Sequence, residues 1–160
     1  MSVNPRAFRD AMGCFVTGVT VISTLSPEGE PVGLTANSFN SVSLDPPLVL
    51  FSLAKEATRF NAYVQSRHFA VNVLADDQKE LSSRFARKGE TSWDGVHFHT
   101  WDTGCPIVPG ALASFECTTE ATYEGGDHLI IVGRVLKVLH VEEGRPLLYW
   151  RGRYGAVADG

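Results

Sequence analysis

The chain has 160 residues, 44% hydrophobic and 20% charged, with a formal net charge of -4 and a sequence pI near 5.7. These values describe one globular domain, residues 1–160, with chain enough for a substantial core. They exclude a nucleic-acid coat, which needs a basic face, and no apolar run reaches the roughly 18 residues of a membrane-spanning helix.

Asn4-Pro5 predicts a helix start, with Asn4 as cap and Pro5 in the first turn. Phe8, Ala11, Met12, Phe15 and Val16 follow at helical spacing and predict one apolar face. Val19 to Leu25 is rich in β-branched residues and predicts a strand. Ser26 to Glu30 is a turn by composition, and Pro31 to Thr35 returns as the second arm of a hairpin. Ser41 to Leu44 and Leu48 to Leu53 are short strands separated by Asp45-Pro46-Pro47, where proline excludes a central paired strand. Ala57 to Gln65 predicts a short helix with Phe60, Tyr63 and Val64 on one side. Phe69 to Leu74 is a strand. Asp77 to Arg87 is a helix, with Asp77 as cap, Glu80 at the capping-box position and Leu81 paired with Phe85. Lys88 to Val108 is irregular. Leu112 to Tyr123 and His128 to Val141 are long strands around the turn Glu124-Gly125-Gly126-Asp127, and Pro146 to Trp150 is a last short strand. Strands among three short helices predict a mainly β barrel or strongly bent sheet.

Cys14, Cys105 and Cys117 are odd in number and form no CxxC pair, so neither a disulfide scaffold nor a zinc ribbon is expected. Reduced, packed thiols are the simpler reading. Met1 to Arg6 leads into no signal-peptide core, and the expected compartment is the cytoplasm. His97 and His99 lack the further ligands that a metal site requires, so no metal is expected. No GxGxxG or GxxxxGK[ST] run marks a Rossmann or P-loop nucleotide site.

Three segments carry the chemistry. The stretch from Gly33 to Pro47 follows a strand and is dense in small hydroxyl and amide residues, which let a flat ligand approach the backbone. On composition alone a polar loop between strands is the better reading. Ser52, Lys55, Thr58 and Arg59 gather where a strand ends and a helix is expected to begin. Hydroxyls, a guanidinium and helix N–H groups would cradle a phosphate there. By itself that pattern is better read as a capped surface helix with an exposed lysine and arginine. The turn Gly125-Gly126-Asp127-His128 sets a histidine at the mouth of a long hairpin, where a lone histidine is usually structural or solvated.

Taken together, several short motifs resemble one family. They are Phe15-Val16-Thr17-Gly18-Val19-Thr20-Val21-Ile22, Gly33-Leu34-Thr35-Ala36-Asn37-Ser38-Phe39 and Phe69-Ala70-Val71-Asn72-Val73-Leu74. They continue with Leu81-Ser82-Ser83-Arg84-Phe85-Ala86, Gly126-Asp127-His128, Pro146-Leu147-Leu148-Tyr149 and Gly152-Arg153-Tyr154. Their order resembles the short-chain flavin reductases, the reductase partners of two-component flavin monooxygenases. The resemblance implies an FMN-binding split barrel, a six-stranded Greek-key barrel with small helices, assembled as a homodimer. It implies reduction of FMN or FAD by NADH or NADPH, and delivery of reduced flavin to a monooxygenase. A flavoprotein that keeps its FMN and reduces another substrate, or a non-catalytic flavin binder, is the alternative. Carried over by position, Thr35, Ala36, Asn37 and Ser38 would lie along the flavin ring. Ser52, Lys55, Thr58 and Arg59 would hold the phosphate, and Arg84 and Phe85 would approach the flavin. His128 would serve the nicotinamide side, with Tyr149 or Tyr154 completing the pocket.

Overall fold

Twelve strands and three α-helices alternate along the chain in the computed structural model, which describes residues 1–89 and 91–159. The helices are α1 (Pro5–Gly13), α2 (Phe60–Gln65) and α3 (Lys79–Ala86). The first six strands are β1 (Thr17–Gly18), β2 (Thr20–Leu25), β3 (Pro31–Ala36), β4 (Asn40–Leu44), β5 (Pro47–Ala54) and β6 (His68–Val73). The other six are β7 (His99–Thr100), β8 (Pro106–Ile107), β9 (Ala113–Gly125), β10 (His128–His140), β11 (Leu147–Trp150) and β12 (Arg153–Ala156). No helix among the described residues is long and apolar enough to cross a membrane.

Seven strands, where six were expected, form the main antiparallel sheet in the order β3-β2-β6-β9-β10-β5-β4. Its edges are β3 and β4, yet only residues 37–39 join them. At 3.8 Å per Cα step, Ala36 and Asn40 lie within about 15 Å of each other. The sheet must therefore curl until its edges nearly meet. The two edges are not paired with each other, so this is the expected mainly β barrel left split at one seam.

The β-branched run of β2 is explained by burial on both faces, which removes the usual polar alternation. Ile22 enters the inner core with Val71, Phe51, Phe69 and Ile131. Val21 faces the opposite cluster, with Leu74, Phe85 and Trp93. The irregular stretch after α3 covers that outer face. Asn72, fully buried, fastens it: Nδ2 donates to the Val21 and Pro106 carbonyls at 3.2 and 3.3 Å. Its Oδ1 accepts from the Val108 N–H at 3.0 Å and the Ser114 hydroxyl at 2.9 Å.

Local chemistry accounts for where the ends of elements differ from expectation. Asn4 Oδ1 caps α1 as expected, accepting from the Arg6 and Ala7 N–H groups at 2.9 and 3.1 Å. The helical region of α3 opens with a 3-10 turn at Asp76–Gln78, and Gln78 rather than Asp77 or Glu80 supplies the capping side chain: its Oε1 accepts from the Ala75 N–H at 2.9 Å. α2 begins at Phe60, not Ala57, because the Ala57 and Phe60 N–H groups are already used in turns to Ala54 and Ala57. Val64 faces outward, and only Tyr63 of the three expected apolar side chains is fully buried. Cys105 and Cys117 are packed thiols, but Cys14 is exposed.

Candidate active site

The split seam is where the candidate residues gather. Ser38 lies in the short link between the two edge strands, and its position is fixed by β5. The Ser52 N–H donates to Ser38 Oγ at 2.9 Å, and that hydroxyl lies 3.3 Å from the Ser52 carbonyl. Next to it, Phe39 packs on Phe115 with ring centroids 5.4 Å apart. A cavity of about 910 Å³ opens over this link. Asn37, Ser38, Phe39, Tyr149 and Thr17 line it, with Phe15 and Arg9 from the α1 side. Its size falls in the range of small-molecule sites, and its mix of aromatic walls and a few polar groups suits a flat, polar-edged ring.

Thr17 stands in the wall of this cavity. Thr17 Oγ1 is buried without a hydrogen-bond partner, an arrangement that normally costs free energy.

A second cavity, about 350 Å³, lies beside Thr35 near the end of β3, two residues before Asn37 of the link. Thr58 and Arg59 line it, and Phe85 forms part of its wall. Arg87, Lys88 and Thr91 also line it. Sequence reasoning missed these three, although the adjacent basic pair after α3 was a readable signal. Among the described residues, three basic side chains, Arg59, Arg87 and Lys88, and one acidic one, Glu56, line this cavity. That is the polarity a phosphate requires.

The remaining expected residues are placed differently. Thr35 lines the second cavity rather than the first, and its hydroxyl donates to the Ser82 carbonyl at 2.6 Å. The Ala36 carbonyl accepts from the Thr20 hydroxyl at 2.7 Å. Ser52 supports Ser38 instead of lining either cavity. The Arg84 guanidinium pins the 92–94 loop, donating to the Ser92 and Asp94 carbonyls at 2.8 and 2.9 Å. Tyr154 reaches the Ser82 hydroxyl at 2.7 Å and packs on Tyr149, which lines the large cavity alone of the two. At the expected helix start, α2 is only six residues long and has no side-chain cap, and the Ala57 and Phe60 N–H groups are used in turns.

His128 opens β10 at the hairpin tip and pairs with Ala54, a residue that lines the second cavity. Its Nδ1 lies 2.7 Å from Asp127 Oδ1. That hydrogen bond, with the imidazole's charge behind it, holds the Asp127 carboxyl below the usual aspartate range. The carboxylate fixes the ring's orientation and leaves Nε2 as the nitrogen not bound to Asp127.

Residues 12–158 match the flavin reductase like domain family. The chain belongs to that family. It is 50% identical over 152 residues to the FMN reductase (NADH) SmoA of Agrobacterium fabrum, covering 95% of this chain and 86% of that one. It is 40% identical over 156 residues to HsaB of Rhodococcus jostii, the reductase subunit of a flavin-dependent monooxygenase, covering 98% and 80% of the two chains. Among solved structures, the Streptomyces globisporus NADH:FAD oxidoreductase SgcE6, in complex with NAD and FAD fragments, superposes with a TM-score of 0.91. That pair shares 36% identity and covers 99% of this chain and 97% of the other. The family membership accords with the cavities: one suited to a flat ring, the other to its phosphate.

Proposed function

We propose that this protein is an NADH-dependent flavin reductase that reduces FMN or FAD and passes the reduced flavin to a partner monooxygenase. The observation that carries the reading is the pair of cavities at successive positions of the chain, an aromatic and polar one over the 37–39 link at the seam and a basic one beside Gly33, Leu34 and Thr35 of β3. When bound, the flavin supplies the hydride acceptor and the nicotinamide nucleotide the donor.

The chain's own part is binding and alignment, which contribute by holding reactants in a productive geometry. Asn37 and Ser38 hold the ring's polar edge, with Ser52 keeping Ser38 in place, while Phe39 and Tyr149 wall the ring. Thr58, Arg59, Arg87 and Lys88 balance phosphate charge. His128, oriented by Asp127, binds on the nicotinamide side. No side chain serves as nucleophile or general base. NADH as donor, rather than NADPH, follows the relative SmoA, whose name specifies it.

The same reading takes the chain as one domain acting as a homodimer. α1 buries none of its residues, and Phe8, Met12, Phe15 and Val16 are more than half exposed. Leu136, Val138, Leu139 and Val141 of the β10 end are equally bare. Apolar surface on this scale suits coverage by a second copy, and light scattering checks it. The three free cysteines suit a reducing compartment, the cytoplasm.

The test is flavin binding by an Arg59→Gln variant. A charge-assisted hydrogen bond contributes about 1.5–3 kcal/mol, so the Kd for FMN should rise about 10-fold or more. Riboflavin, which lacks the phosphate, should bind as before. Equal loss for both flavins would contradict the phosphate role.

A further inference from the structure

Lys55 belongs by sequence position to the phosphate-binding group, but its side chain is engaged elsewhere. It lines neither cavity. Its ammonium pairs with the Glu124 carboxylate on β9. In the sheet order β9-β10-β5, that ion pair spans the intervening strand. Strands lie about 4.8 Å apart, so the reach takes two long side chains laid across the hairpin tip. The Lys55 backbone makes a second contact at the same place: its N–H donates to the Asp127 carbonyl at 2.9 Å. Asp127 in turn holds His128 at 2.7 Å, and His128 pairs with Ala54, the residue before Lys55. The hairpin loop between the paired residues Gly125 and His128 is only Gly126-Asp127. The β10–β5 ladder thus ends at the His128–Ala54 pair, and Lys55 extends the fastening beyond it to Asp127 and Glu124.

We propose that Lys55 is a positioning residue for the nicotinamide side: with Glu124 it clamps the hairpin tip and so holds His128 in its working position. This rests on the reading of His128 given above. The clamp couples the hairpin mouth to the 54–59 loop, which carries Thr58 and Arg59. The groups that meet the hydride donor and those that meet the flavin phosphate are thus braced against each other.

The experiment is steady-state NADH oxidation with FMN saturating and NADH varied, for Lys55→Met, Glu124→Gln and the double variant. Flavin binding is measured alongside with FMN and with riboflavin. The pair is largely exposed, with 42% and 75% side-chain accessibility, so its effect is modest. Each single variant should raise the KM for NADH about two- to five-fold, by loss of the clamp. The double variant should be no worse than the worse single one, because both remove one interaction. Lys55→Arg should restore the wild-type KM, and Kd values for both flavins should not move.

Glu124→Gln is the decisive variant. If charge alone acted on the anionic nucleotide, losing this carboxylate would lower the KM for NADH, and that result overturns the clamp. A Lys55→Met variant that loses FMN affinity but keeps riboflavin affinity also overturns it, in favour of a phosphate role. His128→Ala is run in the same assay. If it leaves the KM for NADH unchanged, the nicotinamide-side reading fails and takes the clamp's purpose with it. If it raises that KM while Glu124→Gln does not, the clamp alone fails.

Discussion

Adding one methyl group at Gly33 tests how the core shapes the second cavity. A Cβ there would sit 2.8 Å from both Cδ1 and Cε1 of Phe85 and 3.0 Å from Cζ2 of Trp93. Neither ring yields easily: Phe85 is 2% exposed, Trp93 is 6% exposed, and their centroids are 4.6 Å apart. Overpacking of this kind costs about 1–3 kcal/mol. Gly33 has no positive φ, so alanine also removes unfolded-state entropy and returns about 0.4–1 kcal/mol. The net expectation for Gly33→Ala is a loss of about 1–2 kcal/mol, or a Tm lower by roughly 2–8 °C. Because Phe85 walls the second cavity, FMN affinity should fall with it. The assay is thermal unfolding of Gly33→Ala, Phe85→Leu and the double variant. Leucine withdraws the ring edge, so Gly33→Ala should cost about 1 kcal/mol less in that background. Strict additivity, or a neutral Gly33→Ala in the parent, would refute the argument.

Asn72→Ala leaves the Val108 N–H and the Ser114 hydroxyl without the acceptor they use, and should lower stability by about 3 kcal/mol; urea unfolding at an unchanged m-value checks it. An aromatic disulfide reagent should modify one thiol in the native protein, Cys14, and all three after unfolding. Burial pushes the Cys117 thiol up to about 12 and that of Cys105 upward also, so neither offers thiolate at neutral pH. The Asp127 carboxyl is depressed by His128, so its contact persists above the ordinary aspartate range and is lost as pH falls through the depressed value. Carboxyl NMR should show that titration move up towards the ordinary range in His128→Ala.

The parts of the fold written in local chemistry were legible in the sequence. Asn4-Pro5 gave away the start of α1, and the Gly126-Asp127 loop between two β-branched runs marked the long hairpin. Val19 to Leu25 read as a strand because burial on both faces leaves no polar alternation to confuse it. The strand β12 escaped because its partner β11 is joined to it by only Arg151-Gly152, and both residues have positive φ. Such a turn suits a tight hairpin, but an arginine in it carries no turn signal. Site residues divided along the same line. Asn37 and Ser38 line the larger cavity because they sit in the link at the seam, and Thr58 and Arg59 line the smaller one from the loop after β5. Lys55 and Arg84 do not, because each long side chain chose a partner distant in sequence or across a loop, Glu124 and the 92–94 carbonyls. Arg87 and Lys88 stand in the sequence as a basic pair after α3, but the cavity they line exists only once α3 packs against β3.

The most direct test of the central claim is anaerobic mixing of the purified protein with NADH and an excess of free FMN or FAD. The account predicts that flavin far beyond one equivalent per chain loses its visible absorption at a rate proportional to protein, with matching NADH consumption. No NADH consumption, or reduction that stops at one protein-bound equivalent, would contradict it.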